Sequence, residues 1–204
     1  MLMQGLQDNF GQTPSQTVGP YFAYGLTAAQ YGYPFNQPFD AVVATDAAHG
    51  ERILLEGRVL DGDGVPVFDA LVEISHVDGD GRYPQDADDA KGMGFQGVGR
   101  CGTGTGTDPQ HRYAFHTVKP AGQAEAEAPH INMIVTMRGL LLHVFTRVYF
   151  DDETAANAHD AVLNSVPASR LHTLLARRVQ RGADIVYEFD VHMQGSEETV
   201  FFDC

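Results

Sequence analysis
From Arg52 onward the chain alternates short apolar runs with turn-forming clusters, and the runs read as β-strands. The first is Ile53-Leu54-Leu55-Glu56-Gly57-Arg58-Val59-Leu60, halted by Asp61-Gly62-Asp63-Gly64, since Asp-Gly pairs supply the backbone of tight turns. Runs at 70–77, 112–118, 131–137 and 142–150 predict four more strands. The most regular stretch sets Ile185, Tyr187, Phe189, Val191 and Met193 against Val186, Glu188, Asp190, His192 and Gln194. That period of two calls for one buried and one largely polar face. Residues 199–202 can close the sheet. Two short helices are predicted between Asp151 and Gly182: one over 155–163, capped by Asp151 and Asp152, and one after Pro167 with Leu171, Leu174 and Leu175 as its apolar stripe. Arg177, Arg178 and Arg181 then fall at the C-terminal end of the second helix, where cations oppose the dipole. Many short strands with few helices predict an all-β, antiparallel β-sandwich, with the two short helices inserted before the final strands.

Residues 1–50 lack sustained periodicity but hold Pro20-Tyr21-Phe22, Tyr31 and Tyr33-Pro34-Phe35. A solvated tail would be poor in aromatic residues, so this is an extended N-terminal arm that packs on the domain or on a neighbour. The expected organisation is an arm over 1–50 and a sandwich domain over 51–204. The 204 residues, 43% hydrophobic, suffice for one core. A net charge of −14 disfavours nucleic acid and anionic membranes as partners. No basic leader opens the chain and no run approaches the ~20 apolar residues of a membrane span, so a cytoplasmic location is expected. Cys101 and Cys204 form neither a disulfide framework nor a zinc motif.

Two positions in the predicted strand after Pro129 stand out for chemistry. His130 and Asn132 are two residues apart, so they share one face of that strand, roughly 7 Å apart. A His-x-His pair there would aim two imidazoles at one metal ion, whereas Asn132 offers a neutral amide. Taken alone, a single histidine of this kind is a hydrogen-bonded core or interface residue. Gly102-Thr103-Gly104-Thr105-Gly106 lacks the following helix that a phosphate cradle requires and reads as a hairpin loop. Asp78, Asp80, Asp86, Asp88 and Asp89 lack the spacing of a calcium loop and read as solvated loop charge.

Thr117-Val118-Lys119-Pro120, Pro129-His130-Ile131-Asn132, Thr146-Arg147-Val148-Tyr149-Phe150-Asp151-Asp152 and the closing stretch from Gln194-Gly195 to Asp203 resemble the intradiol ring-cleavage dioxygenases. Catalytic chains of that family hold ferric iron with two tyrosinates and two histidines. Here Gly81-Arg82-Tyr83 matches the turn of the first tyrosine and His130 the first histidine; Asn132 replaces the second histidine. No tyrosine occurs between Tyr113 and Tyr149, so the second tyrosine is missing, and Glu127 stands about where an arginine is expected. Thr13-Pro14-Ser15-Gln16-Thr17-Val18-Gly19-Pro20-Tyr21 is similar to the arm of the family's iron-free α chains, which helps to wall a substrate pocket. The resemblance therefore implies an α chain with no metal of its own, a partner β chain that binds Fe(III), and cleavage of 3,4-dihydroxybenzoate by O2. It implies no catalytic residue in this chain. Substrate contacts are expected from Arg138, Thr17, Gly19, Pro20 and Tyr21, because arginine grips a carboxylate through two parallel hydrogen bonds and glycine lets backbone approach a ligand. Arg147 is expected to be structural. Two other readings stay open: a non-enzymatic carrier sandwich, and a homo-oligomeric iron enzyme drawing further donors from His76, His116, His143 or His192.

Overall fold
The computed structural model describes Thr17, Gly19 and residues 21–104, 108–122 and 126–203. Its strands are β1 (Arg52–Leu60), β2 (Leu71–Ser75), β3 (Val98–Gly102), β4 (Arg112–Val118), β5 (His130–Thr136), β6 (Val144–Phe150), β7 (Leu175–Arg181), β8 (Asp184–Glu188) and β9 (Val191–His192). They line up as β3-β2-β5-β6-β7-β8-β1-β4, with β9 also on β1. The order folds into two layers because β7 serves both: Leu175 and Ala176 pair with β6, whereas Arg177–Arg181 pair with β8. Leu55, Val59, Ile74, Phe115, Ile131, Met133, Phe150 and Tyr187 fill the space between the layers.

The sandwich is all-β as expected but not wholly antiparallel. β6–β7, β1–β8 and β1–β9 are parallel pairs. The chain between β6 and β7 crosses over through residues 154–174, and a crossover is what returns a strand in parallel. That segment holds α3 (Thr154–Asn157) and 3-10 turns at Leu163–Ser165 and Ala168–Leu174, all shorter than the helices predicted. Asp151 and Asp152 do not cap it. Asp151 instead accepts from the Arg178 backbone N–H (3.0 Å), and Asp152 from the Tyr187 hydroxyl.

Arg177, Arg178 and Arg181 lie on a strand, not at a helix end. Arg177 and Arg181 both meet Glu188, and Arg181 reaches Glu56 (2.8 Å). These cross-strand ion pairs satisfy the charges that suggested a helix terminus. The glycine-rich stretch runs into residues outside the described ones, but the strands either side of it do not pair as a hairpin would, since β3 and β4 occupy opposite ends of the strand order. The acidic region is also more ordered than expected. Asp86 caps α2 (Ala87–Met93) by accepting from the Asp89 N–H, and buried Asp78 accepts from the N–H groups of Asp80 and Arg82.

The regular run at 185–193 follows one strand path with a break. β8 and β9 keep the same offset against β1, and between them the Asp190 carboxylate takes the Arg58 N–H (2.8 Å) and the Arg58 guanidinium. Gly57 sits at this break, where a Cβ would lie 1.7 Å from the Phe189 carbonyl oxygen. The Tyr113 hydroxyl donates to that same oxygen (2.5 Å), so the close approach is fastened from a third strand. Residues 199–202 form no strand: Phe202 makes an isolated bridge to Phe145, and the Thr199 N–H donates to the His192 carbonyl (2.9 Å).

Candidate functional site: a remodelled ligand pocket and an arm-to-turn edge
Alternation in β5 sends Ile131, Met133 and Val135 into the core and His130 and Asn132 to the outer face. Register then builds a row across three strands, with Ser75 of β2 opposite Asn132 and Asn132 opposite Arg147 of β6. Tyr83 lies beside this row, close enough for Ser75 and Asn132 both to act on its hydroxyl. His130 is opposite Tyr149, ring centroids 5.6 Å apart. The structure thus gathers Tyr83, His130 and Asn132 into one cluster, the ligand-position pocket, and it adds Arg147.

Each group in the pocket is held in a form that suits packing. His130 is buried, and its Nδ1 faces the Ala128 carbonyl at 3.0 Å, which fixes Nδ1–H as donor. Burial pushes its pKa down, the Ala128 hydrogen bond opposes that, and the positive charge of Arg147 adds to it. The ring is therefore neutral, and its 3.7 Å approach to Glu127 is not an ion pair. Burial raises the pKa of Tyr83, partly offset by Ser75 and Asn132, and pushes Tyr149 up to about 12. Both remain phenols at neutral pH. Arg147 Nη1 lies 3.7 Å from Glu127 and 3.5 Å from the Tyr149 hydroxyl. Glu127, of the wrong sign to stabilise a substrate anion, is thus the counter-charge of this guanidinium. Asn132 Oδ1 is buried and has no hydrogen-bond partner among the described residues.

Asp160 anchors the pocket from below. It is 1% exposed and accepts from the N–H groups of Ala128 (2.9 Å) and Leu163 (2.7 Å) and from the Tyr149 hydroxyl (3.1 Å). Ala128, Tyr149, Leu163, Val166 and Leu174 form a small second core around it. No sequence motif marks Asp160, which reaches the site from the crossover after β6, or the pairing of Arg147 with Glu127 just ahead of β5.

The histidines considered as further donors lie elsewhere or are occupied. His76 is buried with Nδ1 on the Val77 carbonyl (2.7 Å) and Nε2 on the Thr117 hydroxyl (2.9 Å). His116 and His192 are on β4 and β9, and His143 precedes the far end of β6. Among the described residues no three histidine, cysteine or carboxylate side chains converge as a metal site.

The expected substrate-contact residues fall at a separate edge. Arg138 occupies the turn after β5, its guanidinium half exposed, contacting Asp69 through Nε and lying 5.1 Å from the Phe68 ring centroid. The next residue, Gly139, donates its N–H to the Thr17 hydroxyl (3.2 Å), 122 positions away in the chain. The arm and the arginine turn are thus adjacent. The Gly19 carbonyl accepts from Phe22, opening α1 (Tyr21–Leu26), and a Cβ at Gly19 would meet no described atom within 4 Å. Pro20 and the side chain of Tyr21 lie outside the described residues. No described helix is long and apolar enough to cross a membrane.

A family model described as dioxygenase matches residues 19–195. The protocatechuate 3,4-dioxygenase α chain of Burkholderia cepacia is 59% identical over 193 residues, covering 94% of this chain and 97% of that one. The β chain of the Burkholderia cepacia enzyme is 31% identical over 163 residues, covering 74% of this chain and 67% of its own length. An intradiol ring-cleavage dioxygenase from Tetranychus urticae shares the fold, with a TM-score of 0.59 at 15% identity over 90% of this chain and 94% of that one. With a family model matched over residues 19–195 and identity along nearly its whole length, the chain belongs to the intradiol dioxygenase family, within the branch of protocatechuate 3,4-dioxygenase α chains.

Proposed function
We propose that the chain is the α subunit of an αβ hetero-oligomer that opens the ring of 3,4-dihydroxybenzoate with O2, giving 3-carboxy-cis,cis-muconate, and that a β chain carries the ferric ion. The observation that carries the division of labour is Arg147 facing Asn132 across the β5–β6 ladder. A ferric site needs anionic or imidazole donors converging on one point. Here the second histidine position is an amide, both nearby tyrosines are phenols, and a guanidinium already brings a positive charge to the pocket, paired to Glu127. These residues do not fit ferric iron, and the redox chemistry belongs to the partner.

What this chain contributes is binding and orientation. Arg138 and the arm at Thr17 and Gly19 form one edge, and that edge walls the substrate pocket of the β chain. The guanidinium of Arg138 holds the ring carboxylate, which fixes the substrate's orientation, and the arm keeps water from the reacting face. On this reading residues 1–50 are the arm and 51–204 the domain that carries it, and the complex is cytoplasmic.

Co-expression with a β chain tests the proposal. A complex that takes up O2 only when protocatechuate is added, and yields the ring-opened tricarboxylate with its two new carboxylates at the former hydroxyl-bearing carbons, supports it; a stable monomer that ignores the β chain contradicts it.

A further inference from the structure
We propose that Asp69, with Phe68, is a positioning residue that sets the orientation of Arg138 and through it the preference for a substrate bearing a ring carboxylate. The inference rests on the reading of Arg138 given above. Asp69 precedes β2, next to Ala70, whose N–H and carbonyl are both tied to Thr103. Its backbone is therefore fixed to the sheet, and its side chain is 9% exposed against 51% for Arg138. The buried Oδ2 of Asp69 meets Arg138 Nε as a charge contact outside good hydrogen-bond geometry, and among the described residues no other donor satisfies that atom. Phe68 presents its ring to the guanidinium at 5.1 Å, a favourable cation–π placement.

Arginine offers two edges to a carboxylate, one through Nε and one Nη, the other through both Nη groups. Asp69 takes the Nε side, and Phe68 lies against the guanidinium as a whole. The edge left is the Nη pair, on a half-exposed group next to Gly139, which itself holds the Thr17 hydroxyl. A free arginine on a turn would spread over many rotamers; this one is aimed. The negative charge of Asp69 also repels an incoming carboxylate, so the two effects oppose each other, and the proposal is that aiming prevails.

The test uses the αβ complex and compares KM for protocatechuate with KM for catechol, which has no carboxylate. Asp69→Ala raises the ratio of the two about fivefold, the upper weight of an exposed charge pair, with the change in KM larger than that in kcat. Asp69→Asn, which keeps an oxygen facing Nε, recovers part of the wild-type ratio. A ratio in Asp69→Ala at or below the wild-type value, or no recovery in Asp69→Asn, would overturn the proposal. Arg138→Ala serves as the reference: a ratio it leaves unmoved removes the carboxylate role of Arg138 and the present inference together, whereas a ratio moved by Arg138→Ala and not by Asp69→Ala removes this inference alone. Should Asp69→Ala fail to assemble, Phe68→Leu takes its place with an expected rise of about twofold, and no rise counts against the proposal.

Discussion

Replacing Asp160 with Ala examines how the pocket at the head of β5 is held. The carboxylate is buried and accepts three hydrogen bonds, two from backbone N–H groups and one from the Tyr149 hydroxyl. Its loss strands the Ala128 and Leu163 N–H groups in a dry site; Tyr149 is less affected, because its hydroxyl still lies 3.5 Å from Arg147. Each stranded backbone donor costs about 1–3 kcal/mol, and relief from burying the carboxylate's charge gives some of that back, so the net loss is about 3 kcal/mol. For a chain of this size that moves the urea midpoint by roughly 1–2 M. Asp160→Asn keeps Oδ1 for Leu163 and Tyr149 but turns an amide N–H₂ toward the Ala128 N–H, which predicts about half the loss. Urea unfolding followed by circular dichroism on the three chains side by side measures both. An Asp160→Ala midpoint matching wild type would refute the network, as would an Asp160→Asn loss larger than that of Asp160→Ala.

Gly57→Ala places a methyl 1.7 Å from the Phe189 carbonyl oxygen, which predicts a loss of about 3 kcal/mol or more; an unchanged melting temperature would contradict the packing described there. His76 gives the chain an acid sensitivity. Burial holds its pKa at about 4 against an ordinary 6.5, so the unfolded chain gains a proton first as pH falls. Its stabilising contribution is complete above pH 6.5 and declines toward pH 4, by about 3 kcal/mol in all. Burial shifts His130 in the same direction. Unfolding free energies at pH 7 and pH 4.5 should differ less in His76→Gln than in wild type; equal differences would rule His76 out.

The fold is legible in the sequence where alternation is clean and hidden where charge or glycine disguises it. β1, β4 and β5 are visible because their inner positions are mostly apolar. β3 was missed because Val98-Gly99-Arg100-Cys101-Gly102 carries too little apolar character, although Gly99 is required there: a Cβ would collide with Val43 at 2.4 Å. β7 looked like a basic helix end because only its pairing with β8 shows that Glu188 answers two of its arginines. The parallel pairs follow from a crossover whose course depends on packing over the outer face of β6, which no local pattern encodes. At the site, Tyr83, His130 and Asn132 could be identified by motif. Arg147 could not be given its place, since what makes it a pocket residue is standing opposite Asn132. Asp69 gave no signal at all, because its role exists only through the turn at Arg138, brought near by the pairing of β2 with β5.

Iron analysis of the separated chains addresses the central claim most directly. The account predicts that this chain, purified alone, is colourless, holds no stoichiometric iron and cleaves no protocatechuate, while the β chain carries the metal and the mixed complex turns over. Stoichiometric ferric iron in this chain alone, with a tyrosinate-to-iron absorption band, would contradict it.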